Sequence, residues 1–232
     1  MIIVNRRIVG LIALLVGAVG SSAQTSVNAV GHINISVEPG ANLIANPLRA
    51  EDMRISALFS LSALPHGTKI YKFDGEKYKV AIFYAALGTF TPEGAGDETL
   101  VPGEGVFIVN PTTQPFTVTF VGELLQGNLT NPIPSGLSLR SSMVPWEATL
   151  EQLGFVPRAI DRVYLFDSAT QSFETRTFIP GMGWQPALRK IRVGEAFFIR
   201  TSEPRDWVQV FFVDGRGTLS ALNANPTVNF LY

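Results

Sequence analysis

Glu104 and Glu195 are the residues whose types and spacing first suggest chemistry. They stand in two nearly identical phrases, "LVPGEGVFIVNPT" (Leu100 to Thr112) and "IRVGEAFFIRTSE" (Ile191 to Glu203). Two carboxylates can hydrolyse a glycosidic bond when they flank it about 5 to 10 Å apart, and Asp161 could join such a set. Residues at equivalent points of a repeat, however, meet only across a symmetric interface. In "VPGEG", Pro102 presets one turn dihedral and Gly103 accepts the positive φ that a type II turn needs next; "RVGEA" drops the proline and keeps Gly194. Both glutamates therefore read as turn residues whose carboxylates bond turn amides ahead of a core strand. Asp74 and Asp167 each end a "Y-x-F-D" strand and read as Asx-turn residues.

Other chemistries lack their residue sets. The chain has no cysteine and only two histidines, His32 and His66, too few for a typical zinc site. No "GxSxG" elbow and no phosphate loop with its lysine and helix occurs, and no motif calls for a cofactor. The loop Glu93 to Thr99 offers Asp97 and Glu98 among glycines but lacks the alternating oxygen ligands of a calcium loop. A sugar-binding face would draw on aromatics, and Trp184 in "GMGWQPA" lies in the most loop-like setting, with Phe90 its counterpart. Trp184, Phe90, Asp97 and Glu98 are the candidate ligand-contacting residues.

The elements that position these residues are written twice. "GHINISVEPGANL" from Gly31 runs against "GNLTNPIPSGLSL" from Gly127, "IYKFD" from Ile70 against "VYLFD" from Val163, Phe83 against Phe178, and "FTP" against "WQP". Landmarks kept in order at offsets near 90 to 96 indicate two similar modules, far longer than solenoid repeats. Short runs rich in Val, Ile, Phe, Tyr and Thr, broken by Gly and Pro, predict strands: "NLIANPL", "KIYKFD", "YKVAIFY", "GVFIVN" and "FTVTFVG", then "RVYLFD", "SFETRTFI", "EAFFIR" and "WVQVFFVD". The runs "VFIV" and "FFI" suit strands covered on both faces. One short helix is expected per module, the first with Asp52 as N-cap, the second between Pro145 and Gly154. The fold class expected is mainly β, two β-rich sandwich-like modules.

The expected organisation is a signal peptide at 1–23, a first module at 24–121, and a second at 122–232 with its own closing strand, since "RGTLS" near the end echoes the phrases that open each copy. Arg6 and Arg7 precede the apolar run Ile8 to Val19, which ends in Ser21-Ser22-Ala23, the pattern of a secretory leader. Its removal takes the formal charge from −1 to −3, because only two arginines leave. So small a charge gives no electrostatic footprint for nucleic acid, and nothing in the mature chain reads as a membrane span.

The phrases "GANLIANPL", "KIYKFDGEKY" and "TLVPGEGVFIVNP", with "RVYLFD" and "VGEAFFI", resemble a family of poorly characterised modules of bacterial exported proteins whose recurring phrases run G-W-N-L-I-S, Y-x-Y-D and P-G-x-G-Y-W-I. This chain has Ala41 where that family often has Trp. The resemblance implies a β-module appended to surface proteins and carries no catalytic residues. Together these features lead to an expected non-catalytic protein of the cell envelope or surface, structural or adhesive, with an extracellular glycan or envelope protein as partner. Carbohydrate binding and hydrolysis by a carboxylate pair are the alternatives.

Overall fold

The computed structural model describes residues 29–60, 62–213 and 219–220, so the expected leader lies outside the described residues. The chain opens with β1 (Val30–Val37), β2 (Gly40–Ile44) and the two-residue β3 (Leu48–Arg49), then α1 (Ile55–Leu58). It continues through β4 (Lys69–Phe73), β5 (Tyr78–Tyr84), β6 (Thr89–Thr91), a 3-10 turn at Ala95–Asp97, β7 (Val106–Asn110) and β8 (Phe116–Leu124). A second series follows: β9 (Gly127–Ile133), β10 (Gly136–Ser141), β11 (Arg162–Asp167), β12 (Ser172–Ile179), β13 (Gly183–Gln185), β14 (Ala196–Thr201), β15 (Arg205–Val213) and β16 (Leu219–Ser220).

The fold is mainly β, with antiparallel sheets. Two five-stranded sheets have orders β2-β7-β4-β5-β6 and β10-β14-β11-β12-β13, and two three-stranded sheets have orders β1-β8-β3 and β16-β15-β9. Each five-stranded sheet shares a core with one three-stranded sheet. In the first, Val37, Val118 and Phe120 pack with Ile70, Val106 and Ile108. In the second, Leu129, Ile133 and Trp207 pack with Val163, Phe197 and Ile199. Strand alternation explains how β7 serves two layers: Val106 and Ile108 enter the first core, while Phe107 on the opposite face meets a third cluster around Leu43, Ala45, Leu139, Ala196 and Phe198. That third cluster joins the two five-stranded sheets. Both hairpins Phe83↔Phe90 and Phe178↔Trp184 lead into cis prolines, Pro92 and Pro186.

Three expectations are corrected. The run "NLIANPL" is two strands, because the buried Asn46 turns the chain by accepting the Leu48 N–H at 3.0 Å. Only the first series holds an α-helix among the described residues, four residues long. Its N-cap is Arg54 rather than Asp52, which instead accepts the Arg54 N–H at 2.9 Å. In the second series one helical turn forms, Leu153 N–H to Thr149 O at 3.0 Å. Gly154, at φ 83°, stops it with paired bonds from Gly154 to Glu151 and Phe155 to Leu150.

The two three-stranded sheets differ in the strand at one edge, and β9, which follows the first series, does not join the sheet of β8. β3 pairs with the end of β8, Leu48 opposite Leu124, but the corresponding positions in the second series are Val144 and Pro145. Proline cannot donate to a ladder. β16 occupies the equivalent edge instead, Leu219 opposite Val213, on the side of β15 away from β9.

Candidate functional site

The two glutamate turns sit where the five-stranded sheets meet, and each is bonded to the other series. Gly103 O accepts the Ser141 N–H at 2.9 Å; Gly194 O accepts the Ala45 N–H at 2.8 Å. Backbone β-bridges join Glu104 to Arg140 and Glu195 to Ile44. Side chains repeat this exchange. Phe107 meets Phe166 edge-on at 5.4 Å, and Phe198 meets Phe73 edge-on at 5.5 Å, while Phe107 and Phe198 lie 6.1 Å apart. Gly105 has no room for a side chain: a Cβ there would stand 2.3 Å from that of Ala196.

Within their turns the carboxylates are engaged. Glu104 Oε2 accepts the Val101 N–H at 3.1 Å and pairs with Lys72 Nζ at 3.1 Å. Glu195 Oε2 accepts the Arg192 N–H at 3.0 Å, and Arg189 grips both oxygens at 2.8 and 2.5 Å. Hydrogen bonding to Glu195 raises the Arg189 pKa above its ordinary value. Gly103 and Gly194 supply the positive φ, 97° and 75°. Asp161 is fully buried and held by both Arg205 terminal nitrogens at 2.8 and 2.7 Å, leaving no free base.

Asp74 accepts the Glu76 and Lys77 N–H groups at 3.1 and 2.9 Å, and Asp167 accepts that of Ala169 at 2.9 Å. These backbone bonds hold both carboxyls below the usual carboxylate range.

The aromatic candidates are corrected. Trp184 is 7% exposed, faces Phe155 and Phe178, and donates its indole N–H to Glu151 at 2.6 Å; Phe90 is likewise 7% exposed, against Phe83. The turn glycines around Trp184 suggested a loop, but its strand pairing with β12 turns the ring inward. Neither ring offers a face to a sugar. Asp97 is exposed near Arg54 at 3.6 Å, and Glu98 pairs with Lys79 at 2.7 Å. No cluster of three or more His, Cys, Asp or Glu suited to a metal occurs among the described residues. Nor, among them, is any helix long and apolar enough to cross a membrane.

What sequence reasoning missed is a cleft of about 310 Å³ at the junction. One wall carries Lys72, Phe73, Asp74, Lys79, Glu98 and Glu104, the other Pro134, Ser138, Leu139 and Arg140. Ser138 and Arg140 stand two apart on the edge strand β10 and so share one face. Burial lowers the Arg140 pKa, against the opposing pull of Glu104. The signal in the sequence was asymmetry: against Ser138 and Arg140 the first copy has Asn42 and Ile44.

No family model, curated protein or solved structure matches the chain.

Proposed function

We propose that this chain is a non-catalytic exported protein of the bacterial cell envelope or surface, structural or adhesive, built from two copies of one β-module. Residues 1–23 act as its leader, the first module spans 24–121 and the second 122–232. The observation that carries the non-catalytic reading is the engagement of Glu104 and Glu195. Each caps its own turn and pairs with its own cation, and each turn fastens one sheet to the other. Duplication is supported by register. Gly40 faces Asn110 and Gly136 faces Thr201, so the offsets are 96 (136 minus 40) and 91 (201 minus 110), those of the repeated phrases. The charge-poor, apolar-rich leader pattern supports export.

Two measurements test this reading. Fractionation of cells making the full chain, with N-terminal sequencing, should find the protein outside the cytoplasm and beginning at Gln24. Cytoplasmic retention with an intact Met1 contradicts export. The purified protein should turn over no polysaccharide; saturable hydrolysis lost in Glu104→Gln or Glu195→Gln contradicts the non-catalytic reading.

A further inference from the structure

Among the described residues the sheet edges are closed in different ways, and one is left open. β6 and β13 are three residues long and run into Pro92 and Pro186; β3 and β16 hold two residues each. β2 is covered by Gln171, which accepts the Ala41 N–H at 2.8 Å and donates to Ala41 O at 3.0 Å, and β10 by the turn whose Gly103 O accepts the Ser141 N–H. β9 carries Pro132. β1 is the exception, an eight-residue edge strand with no Asp, Glu, Lys, Arg or Pro. Long edges are normally interrupted by charge, proline or a bulge, because their free N–H and C=O groups template another strand.

Two bonds show which groups of β1 are free. The Leu124 N–H donates to Ala29 O at 2.8 Å, whereas the Thr119 N–H turns away from its partner Asn34 and donates to Ser62 Oγ at 3.0 Å. Bonded and non-bonded pairs alternate along an antiparallel ladder. Gly31, Ile33, Ile35 and Val37 therefore bond β8, while Val30, His32, Asn34 and Ser36 direct their backbone groups outward, where no strand among the described residues pairs. At the offset of 96 (132 minus 36), Pro132 stands where β1 has Ser36, so the opening strand of the second series lacks the donor that the first keeps.

We propose that two copies of this chain associate through β1, laid antiparallel about a two-fold axis at Ile33, so that their β1-β8-β3 sheets become one continuous sheet. In that register Val30 faces Ser36 and His32 faces Asn34 of the second copy, and about eight backbone bonds form. A second copy suits the edge because the same strand brings no like charge and no missing donor against it, and the half-buried Ile33 meets its own counterpart across the axis. Such a contact uses one patch on both sides and closes the edge. A strip this narrow makes a weak, reversible dimer. This inference goes beyond the envelope role and stands on the edge alone.

The test is sedimentation of the chain purified from producing cells, as wild type, Ser36→Pro and His32→Lys. A reversible dimer with a dissociation constant on the order of micromolar is expected, weakened at least about tenfold by either substitution. Ser36→Pro removes only an outward N–H from the backbone bonding, and His32 is exposed, so the second variant keeps the test if the first fails to fold. Because the chain has no cysteine, Ile33→Cys should form a disulfide-linked dimer on mild oxidation and the exposed Val121→Cys, on β8, should not. A wild type that stays monomeric at about 0.1 mM overturns the proposal, as does association unchanged in either folded variant. A dimer that Ile33→Cys does not link overturns the antiparallel β1 pairing and points to another segment on this edge.

Discussion

Ser138→Ala should leave the fold at least as stable as before, because the hydroxyl it removes is buried with nothing to bond. A gain of about 1 kcal/mol in urea unfolding is expected, the usual size of such an unmet group. The glutamates should behave oppositely. Glu195→Ala strips the pairing of Arg189 and a turn amide at a side chain only 11% exposed, and should cost about 2–3 kcal/mol. Glu104→Ala, at 28% exposure, should cost about 1 kcal/mol. The turn aspartates set an acid dependence. Backbone bonds lower the Asp74 and Asp167 pKa values in the folded chain below the ordinary 3.8, so their contribution is complete above that value and is lost as pH falls through the folded values. Asp74→Asn with Asp167→Asn keeps the turn acceptors without the titration. Its melting temperature should therefore vary less than the wild type's between about pH 4 and about pH 2.

At the scale of elements, strand positions were legible from composition and spacing because β-branched and aromatic runs between Gly and Pro have few other uses. The turns at Gly103 and Gly194 were legible too, from the repeat and the demand for positive φ. Trp184 was not, since a glycine-flanked tryptophan reads as a loop until its pairing with Phe178 turns it inward. Nor was the missing second helix, where Gly154 stops the chain after one turn. The cleft depends on which edge strand meets which turn, a long-range fact that no local pattern encodes. Gly105 carries the element-level prediction: Gly105→Val places a side chain against Ala196 and the Ile44 carbonyl, and should cost about 1–3 kcal/mol or more in chemical unfolding.

For the whole molecule, the repeated phrase is best understood as the fastening of two β-units, each turn bonded to the other's second strand and each phenylalanine set against the other's. Such an interface should make the chain unfold as one cooperative unit. It also gives a reason for the same words to appear twice without invoking a reaction: a two-fold-like junction uses each surface on both sides. The most direct measurement is a double-mutant cycle of Phe107→Ala and Phe198→Ala, read by urea unfolding. The rings stand 6.1 Å apart across the junction, so the account predicts one transition, a loss of about 3–5 kcal/mol for the buried Phe198 and a smaller one for the half-buried Phe107, and a coupling of about 0.5–1.5 kcal/mol between them. Two separate unfolding transitions in the wild type, with additive losses, would contradict it.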